Sequence, residues 1–199
     1  MYQAVGSPGS RLVRVAWMLE ELGQAYRLVK AARGSEEMRR YHPSGRGPVL
    51  VDGSVLVADS AAICAYLADK HPEREMGPKT PAERAHLNAW LFFAQSELET
   101  PGGRHRHGAM PPEAERDDVG PWTTTEFNRE INALEARLGE AQYAMGNRFT
   151  AADVILGHCG QWARDSRFTI VSNRVNAYFT RILARPALAR ARAREAAAE

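Results

Sequence analysis

Strand signals in this 199-residue chain are confined to its first 76 residues, and past residue 81 none remains. That asymmetry excludes a sheet running through the whole chain. It predicts a small α/β layer over 1–76, a linker at 77–81 and an all-helical region over 82–199. Tyr2 to Val5 reads as a strand ended by Gly6, Pro8 and Gly9. Leu12, Val15, Ala16, Leu19 and Leu22 then recur at helical spacing, with Ser10 at the N-cap position and Gly23 at the C-cap. Tyr26 to Val29 reads as a second strand, and Glu36 to Tyr41 as a short helix stopped by Pro43. Pro48 to Val57 carries two β-branched runs around Asp52-Gly53, the pair favoured by a type I′ hairpin. Asp59-Ser60 then caps a helix containing Ala62, Ile63, Tyr66 and Leu67. The order is strand, helix, strand, helix, hairpin, helix. It predicts one parallel crossover and an antiparallel edge.

In the second region, helices are expected over Ala82–Leu98, Thr125–Gln142, Ala151–Ala163, Asn173–Leu183 and from Ala187 onward, the last a solvated terminal helix. Residues 101–122 lack an apolar period and read as a loop. Thr150 and Asp153 have the reciprocal spacing of a capping box. Trp90 and Phe93 read as core or as a pocket lining, and Phe92 cannot share a face with both.

Composition narrows the function classes. The charges balance, 26 basic against 24 acidic, for a net +2. That gives no general electrostatic reason to bind nucleic acid or an anionic membrane. No apolar run approaches the roughly 18 residues of a membrane helix. The N-terminus lacks the basic and apolar blocks of a secretory signal. With only Cys64 and Cys159, neither a disulfide framework nor a cysteine-based zinc site organises the fold. A cytoplasmic, metal-free protein is expected. His105 and His107, beside Arg104 and Arg106, lack a third ligand and read as solvated. Cys64 reads as a core residue, and Cys159 with His158 and Trp162 as a buried structural set.

Three turns carry the chemistry. Ser7-Pro8-Gly9-Ser10 lies where a thioredoxin-like layer carries Cys-x-x-C, with hydroxyls in place of thiols. A helix N-terminus there favours an anion, and any thiol must arrive with a ligand. Arg46-Gly47-Pro48 enters the hairpin; on these residues alone a trans proline beginning an edge strand is the simpler reading, while a cis proline would turn the preceding backbone outward to pair with an extended ligand. Asp59-Ser60 offers a carboxylate and a hydroxyl at a helix start, a set able to hold an amino-acid head group, although simple capping also accounts for the pair. In the predicted layer all three turns face one end of the sheet.

The segments Ser10-Arg-Leu-Val-Arg-Val-Ala-Trp-Met-Leu-Glu-Glu-Leu-Gly23, His42-Pro-Ser-Gly-Arg-Gly-Pro-Val-Leu50, Asp59-Ser-Ala-Ala-Ile63 with Tyr66-Leu67, and Phe149-Thr-Ala-Ala-Asp-Val154 resemble, in order, the motifs of the glutathione S-transferases, in particular a bacterial and fungal Ser-Arg subgroup. The resemblance implies a thioredoxin-like N-terminal domain, a helical C-terminal domain and a two-fold homodimer. It implies glutathione as co-substrate: Asp59 and Ser60 on the γ-glutamyl head, the Gly47 backbone before a cis Pro48 on the cysteinyl unit, and Arg46 on the glycyl carboxylate. Ser10 would hydrogen-bond the thiolate, with Arg11 adding positive charge. Ser7 is the second hydroxyl candidate, and Tyr2 reads as a packed strand residue. Gly47 departs from the family's bulkier residue and predicts a looser loop. The expected activity is attack of the glutathione thiolate on a small-molecule electrophile. The alternatives are a glutathione-dependent disulfide reductase or peroxidase, and a non-catalytic binding scaffold.

Overall fold

Four strands form one sheet in the order β2-β1-β3-β4: β1 Tyr2–Gly6, β2 Tyr26–Lys30, β3 Val49–Asp52 and β4 Val55–Ala58. β1 runs parallel to β2 and antiparallel to β3, and β3 pairs antiparallel with β4. The computed structural model describes residues 1–100 and 116–198. The expected crossover and antiparallel edge are both present. The connection from β1 to β2 is α1, Leu12–Leu22, whose apolar spacing buries nearly every side chain against the sheet and its neighbours. Gly23 takes the left-handed conformation that ends it, its N–H bonded to Glu20 O. A short α2, Glu36–Arg39, is capped by Ser35, and α3 covers Ser60–Lys70.

The hairpin turn departs from expectation. Asp52 pairs with Val55, so Asp52 ends the strand and the two-residue loop is Gly53-Ser54. Positive φ falls at Gly53 and not at Ser54, the requirement of a type II′ turn and not of type I′.

The chain divides into two compact units, Met1–Lys79 with Ala184–Glu199, and Thr80–Leu183. In the second unit α4, Pro81–Phe92, is capped by Thr80 and continues as a π-helical stretch, Phe93–Leu98. There follow α5, Arg116–Leu138, α6, Ala151–Asp165, and α7, Asn173–Leu183. Helix α5 thus begins inside the expected loop. Its apolar period, Phe127, Ile131, Leu134 and Leu138, starts only halfway along, which is why its first turns are silent in sequence. The aromatic trio on α4 resolves as its spacing required. Trp90 and Phe93 are buried edge to face with centroids 6.0 Å apart, and Phe92 is 71% exposed. Phe93 serves as core, while Trp90 also lines a small cavity with Glu83, His86, Met145 and Arg148.

The last helix, α8 (Pro186–Ala197), was expected to be a solvated part of the helical region. It packs instead along α1 in the first unit. Ala187, Leu188, Ala191 and Glu195 form its buried stripe. Charge explains the attachment. Arg185 meets Glu21 with both ends of its fork, at 2.5 and 2.8 Å, while Trp17 Nε1 donates to the same carboxylate at 2.9 Å. Arg190 and Arg194 reach Glu20 at 2.7 and 2.9 Å. The Trp-x-x-Glu-Glu pattern of α1 is therefore the docking face of α8.

Candidate active site

Strand register brings the three turns into one row. Val5 pairs with Val49, and Val49 with Ala58. The residues that follow β1, precede β3 and follow β4 therefore emerge side by side at one end of the sheet. These are Ser7–Arg11, Arg46–Pro48 and Asp59–Ser60. A Cβ placed on Gly47 would lie 3.4 Å from Gly6 Cα, so the first two turns touch. Tyr2 begins β1 at the other end, buried, with its hydroxyl 2.8 Å from His71 Nε2. It is a packed strand residue, as expected.

In the first turn Ser10 is not the N-cap. Arg11 holds that position, and it is half-buried. Ser10 Oγ accepts the Leu12 N–H at 3.2 Å and donates to Ser7 O at 2.6 Å. Ser7 Oγ donates to Ala31 O at 3.2 Å. The Val13 and Arg14 amides are taken by Ser10 O and Arg11 O. The opening amides expected to face a ligand are thus used inside the turn, leaving the helix dipole, Arg11 and the hydroxyls as the anion-favouring elements.

The second turn contains a cis Gly47–Pro48 bond. Arg46 and Gly47 are exposed and Pro48 is buried. An added Cβ at Gly47 would meet Met38 Sδ at 3.3 Å and Val5 O at 3.5 Å, so a larger residue there would sit against the Met38 side chain, which would have to shift slightly.

The third turn is held in an unusual backbone state. Asp59 has φ 74° and ψ 129°, a region that costs a non-glycine residue about 1–3 kcal/mol. Its carboxylate accepts the Ala61 and Ala62 N–H groups at 2.8 and 3.4 Å. Ser60 is fully buried, and its Oγ accepts from Arg14 Nη1 at 3.1 Å. Arg14, itself fully buried, ties α1 to the start of α3.

Both cysteines are buried. Burial pushes the Cys64 thiol up to about 12, and its Sγ lies 3.8 Å from Arg14 O. Cys159 is buried 3.6 Å from Ala94 O, beside His158 and Trp162, whose rings are 4.5 Å apart. The His105–His107 pair lies outside the described residues. Among the described residues no cluster of three or more His, Cys, Asp or Glu could hold a metal.

A thioredoxin-like layer whose ligand turns lack cysteine, followed by a helical unit, is the architecture of a glutathione-dependent enzyme class. The glutathione S-transferase N-terminal domain matches residues 1–75, and the C-terminal domain matches residues 109–186. Glutathione S-transferase 1 of Dianthus caryophyllus is 30% identical over 149 residues, covering 72% of this chain and 67% of its own. A glutathione transferase of Methylococcus capsulatus superposes with TM-score 0.88 at 25% identity, over 99% of this chain and 100% of its own. A sphingomonad glutathione S-transferase solved with glutathione superposes with TM-score 0.85 at 25% identity, covering 98% of each chain. The chain belongs to the glutathione S-transferase family, enzymes that use glutathione as co-substrate.

Proposed function

We propose that this enzyme binds glutathione across the row of turns and directs its thiolate at an electrophilic small molecule. The observation that carries this reading is the register that sets Ser7–Arg11, Arg46–Pro48 and Asp59–Ser60 side by side. The exposed Asp59 carboxylate receives the γ-glutamyl ammonium. The Ser60 hydroxyl accepts from Arg14 and keeps a proton to donate to the adjoining carboxylate. The Gly47 backbone pairs with the cysteinyl unit, and Arg46 takes the glycyl carboxylate. Ser10 donates to the sulfur, with Arg11 supplying positive charge. A hydroxyl donor and a nearby guanidinium both lower a thiol's pKa. The rate gain is a higher thiolate fraction combined with proximity. The protein is proposed to act in the cytoplasm as a homodimer.

A second assignment of the thiol contact is favoured by one observation. Ser10 holds Ser7 O at 2.6 Å, whereas Ser7 holds Ala31 O at 3.2 Å. Either serine must exchange a carbonyl for sulfur, and the longer bond is the easier to give up.

Calorimetric titration with glutathione, followed by assays with an aryl halide and with a mixed disulfide, tests the function. Saturable binding with conjugation of the aryl halide is expected. Absence of binding overturns the reading, and disulfide reduction without conjugation replaces it by the reductase alternative.

A further inference from the structure

Glu195 is the one charged side chain on the buried stripe of α8. Its neighbours on that stripe are Ala187, Leu188 and Ala191, and it is 6% exposed. An apolar residue would serve such a stripe better, because taking a carboxylate out of water is costly even when it is partnered. The other charges of α8 that hold α1, from Arg185, Arg190 and Arg194, are at least a third exposed or close to it, and they meet Glu20 and Glu21 further along α1. Glu195 does something different. Its Oε2 accepts the Gly9 N–H at 3.3 Å, across 186 residues of sequence.

Gly9 stands at the apex of the turn that presents both serines. It has φ 69°, and a Cβ on it would find nothing within 4 Å. Gly9 itself is exposed, so no side chain packs over it on that side. What holds the turn is a set of hydrogen bonds: Ser7 to Ala31 O, Ser10 to Ser7 O, Leu12 to Ser10, and Gly9 to Glu195. Of these the Glu195 bond alone reaches the apex, and it comes from the far end of the chain.

We infer that Glu195 is a positioning residue for the thiol site, holding the Ser7–Ser10 turn in place through the Gly9 amide. This rests on the glutathione reading above. It makes the C-terminal helix part of the machinery of the first unit, although it supplies no group to the ligand. A carboxylate is tolerated on an apolar stripe because the turn requires an acceptor at that point. The function lies in the acceptor oxygen and not in the charge, since a negative charge near the sulfur would oppose thiolate formation.

Three variants separate these roles. Glu195→Leu and Glu195→Ala remove the acceptor, and Glu195→Gln keeps an acceptor oxygen while losing the charge. Leu suits the stripe, so that variant is expected to melt at or above the wild-type temperature. With glutathione and an aryl halide, Glu195→Leu and Glu195→Ala are expected to lose about tenfold in kcat, the scale of a reacting group held slightly out of place, with little change in KM for glutathione. Glu195→Gln is expected to recover most of that loss. The ultraviolet absorbance of the bound thiolate against pH should show a higher thiol pKa for Leu and Ala than for Gln. All three are neutral, so that difference isolates the hydrogen bond. The inference is overturned if Leu and Gln titrate alike, or if activity merely follows melting temperature across the three. If wild-type protein itself binds no glutathione, the functional reading fails and this inference falls with it. If wild type binds and conjugates while Glu195→Leu matches it, the inference alone fails.

Discussion

Ser60 shows how a residue can be read correctly for its place and incompletely for its partners. Its position at the head of α3 was legible from Asp59-Ser60 in sequence. Its burial under the Arg14 guanidinium was not, because the two residues lie 46 positions apart and no local pattern links them. Ser60→Ala should weaken glutathione binding by about 1–3 kcal/mol through the lost hydroxyl donor. It should also lower the melting temperature, because Arg14 loses an acceptor. Calorimetry at matched folded fraction separates the two effects, and unchanged affinity contradicts the assignment. Arg46 is exposed and Arg11 half-buried, so the charge contacts proposed for them would be screened in part by salt. Asp59 carries the most specific residue-level signal, a strained backbone at a proposed ligand contact.

At the scale of elements, legibility followed the range of the interaction that fixes each one. Helix α1, its glycine cap and the capping box of α6 were readable because their signals lie within a few residues. Thr150 N–H donates to Asp153 Oδ2 at 2.8 Å, completing the expected box. What sequence did not show is that Asp153 also gathers the Ala144 N–H and the Tyr178 hydroxyl, each at 2.8 Å. Burial pushes the Asp153 carboxyl above its ordinary range, and the donors around it work against that shift. Asp153→Ala would strand four donors in or near the core, the Thr150 hydroxyl being the fourth, and stability should fall by about 3 kcal/mol or more. A thermal melt reads that directly, and an unaltered transition contradicts it. The titration of bound glutathione should not move, since Asp153 lies in the second unit. The hairpin erred in the other direction. Asp52-Gly53 is a strong local signal for a turn, but cross-strand pairing of Asp52 with Val55 decided which two residues lie outside the ladder.

Over the whole molecule, the row of turns was inferable because strand order and register follow from hydrophobic pattern and connection rules. The return of α8 to the first unit was not. Its Ala/Arg composition reads as a solvated helix, and only its partners Glu20, Glu21 and Trp17 on α1 reveal the docking face. The edge strand β4 leaves Val55 and Leu56 at 42% and 55% exposure, surface that a second copy of the chain would be expected to cover. Light scattering at micromolar concentration should therefore give about twice the protomer mass of 22.0 kDa, and a monomer mass contradicts the homodimer.

The central claim is that a serine hydroxyl in the first turn stabilises the glutathione thiolate. The measurement that tests it most directly is the ultraviolet thiolate absorbance of bound glutathione against pH, for wild type, Ser10→Ala and Ser7→Ala. Ser10→Ala is expected to raise the bound thiol's pKa and slow conjugation near neutral pH, with a smaller loss at high pH where the thiolate forms unaided, while Ser7→Ala does much less. A shift with Ser7→Ala alone would transfer the role to Ser7. Titrations unmoved by either substitution would contradict the claim and leave thiolate stabilisation to the helix dipole and Arg11.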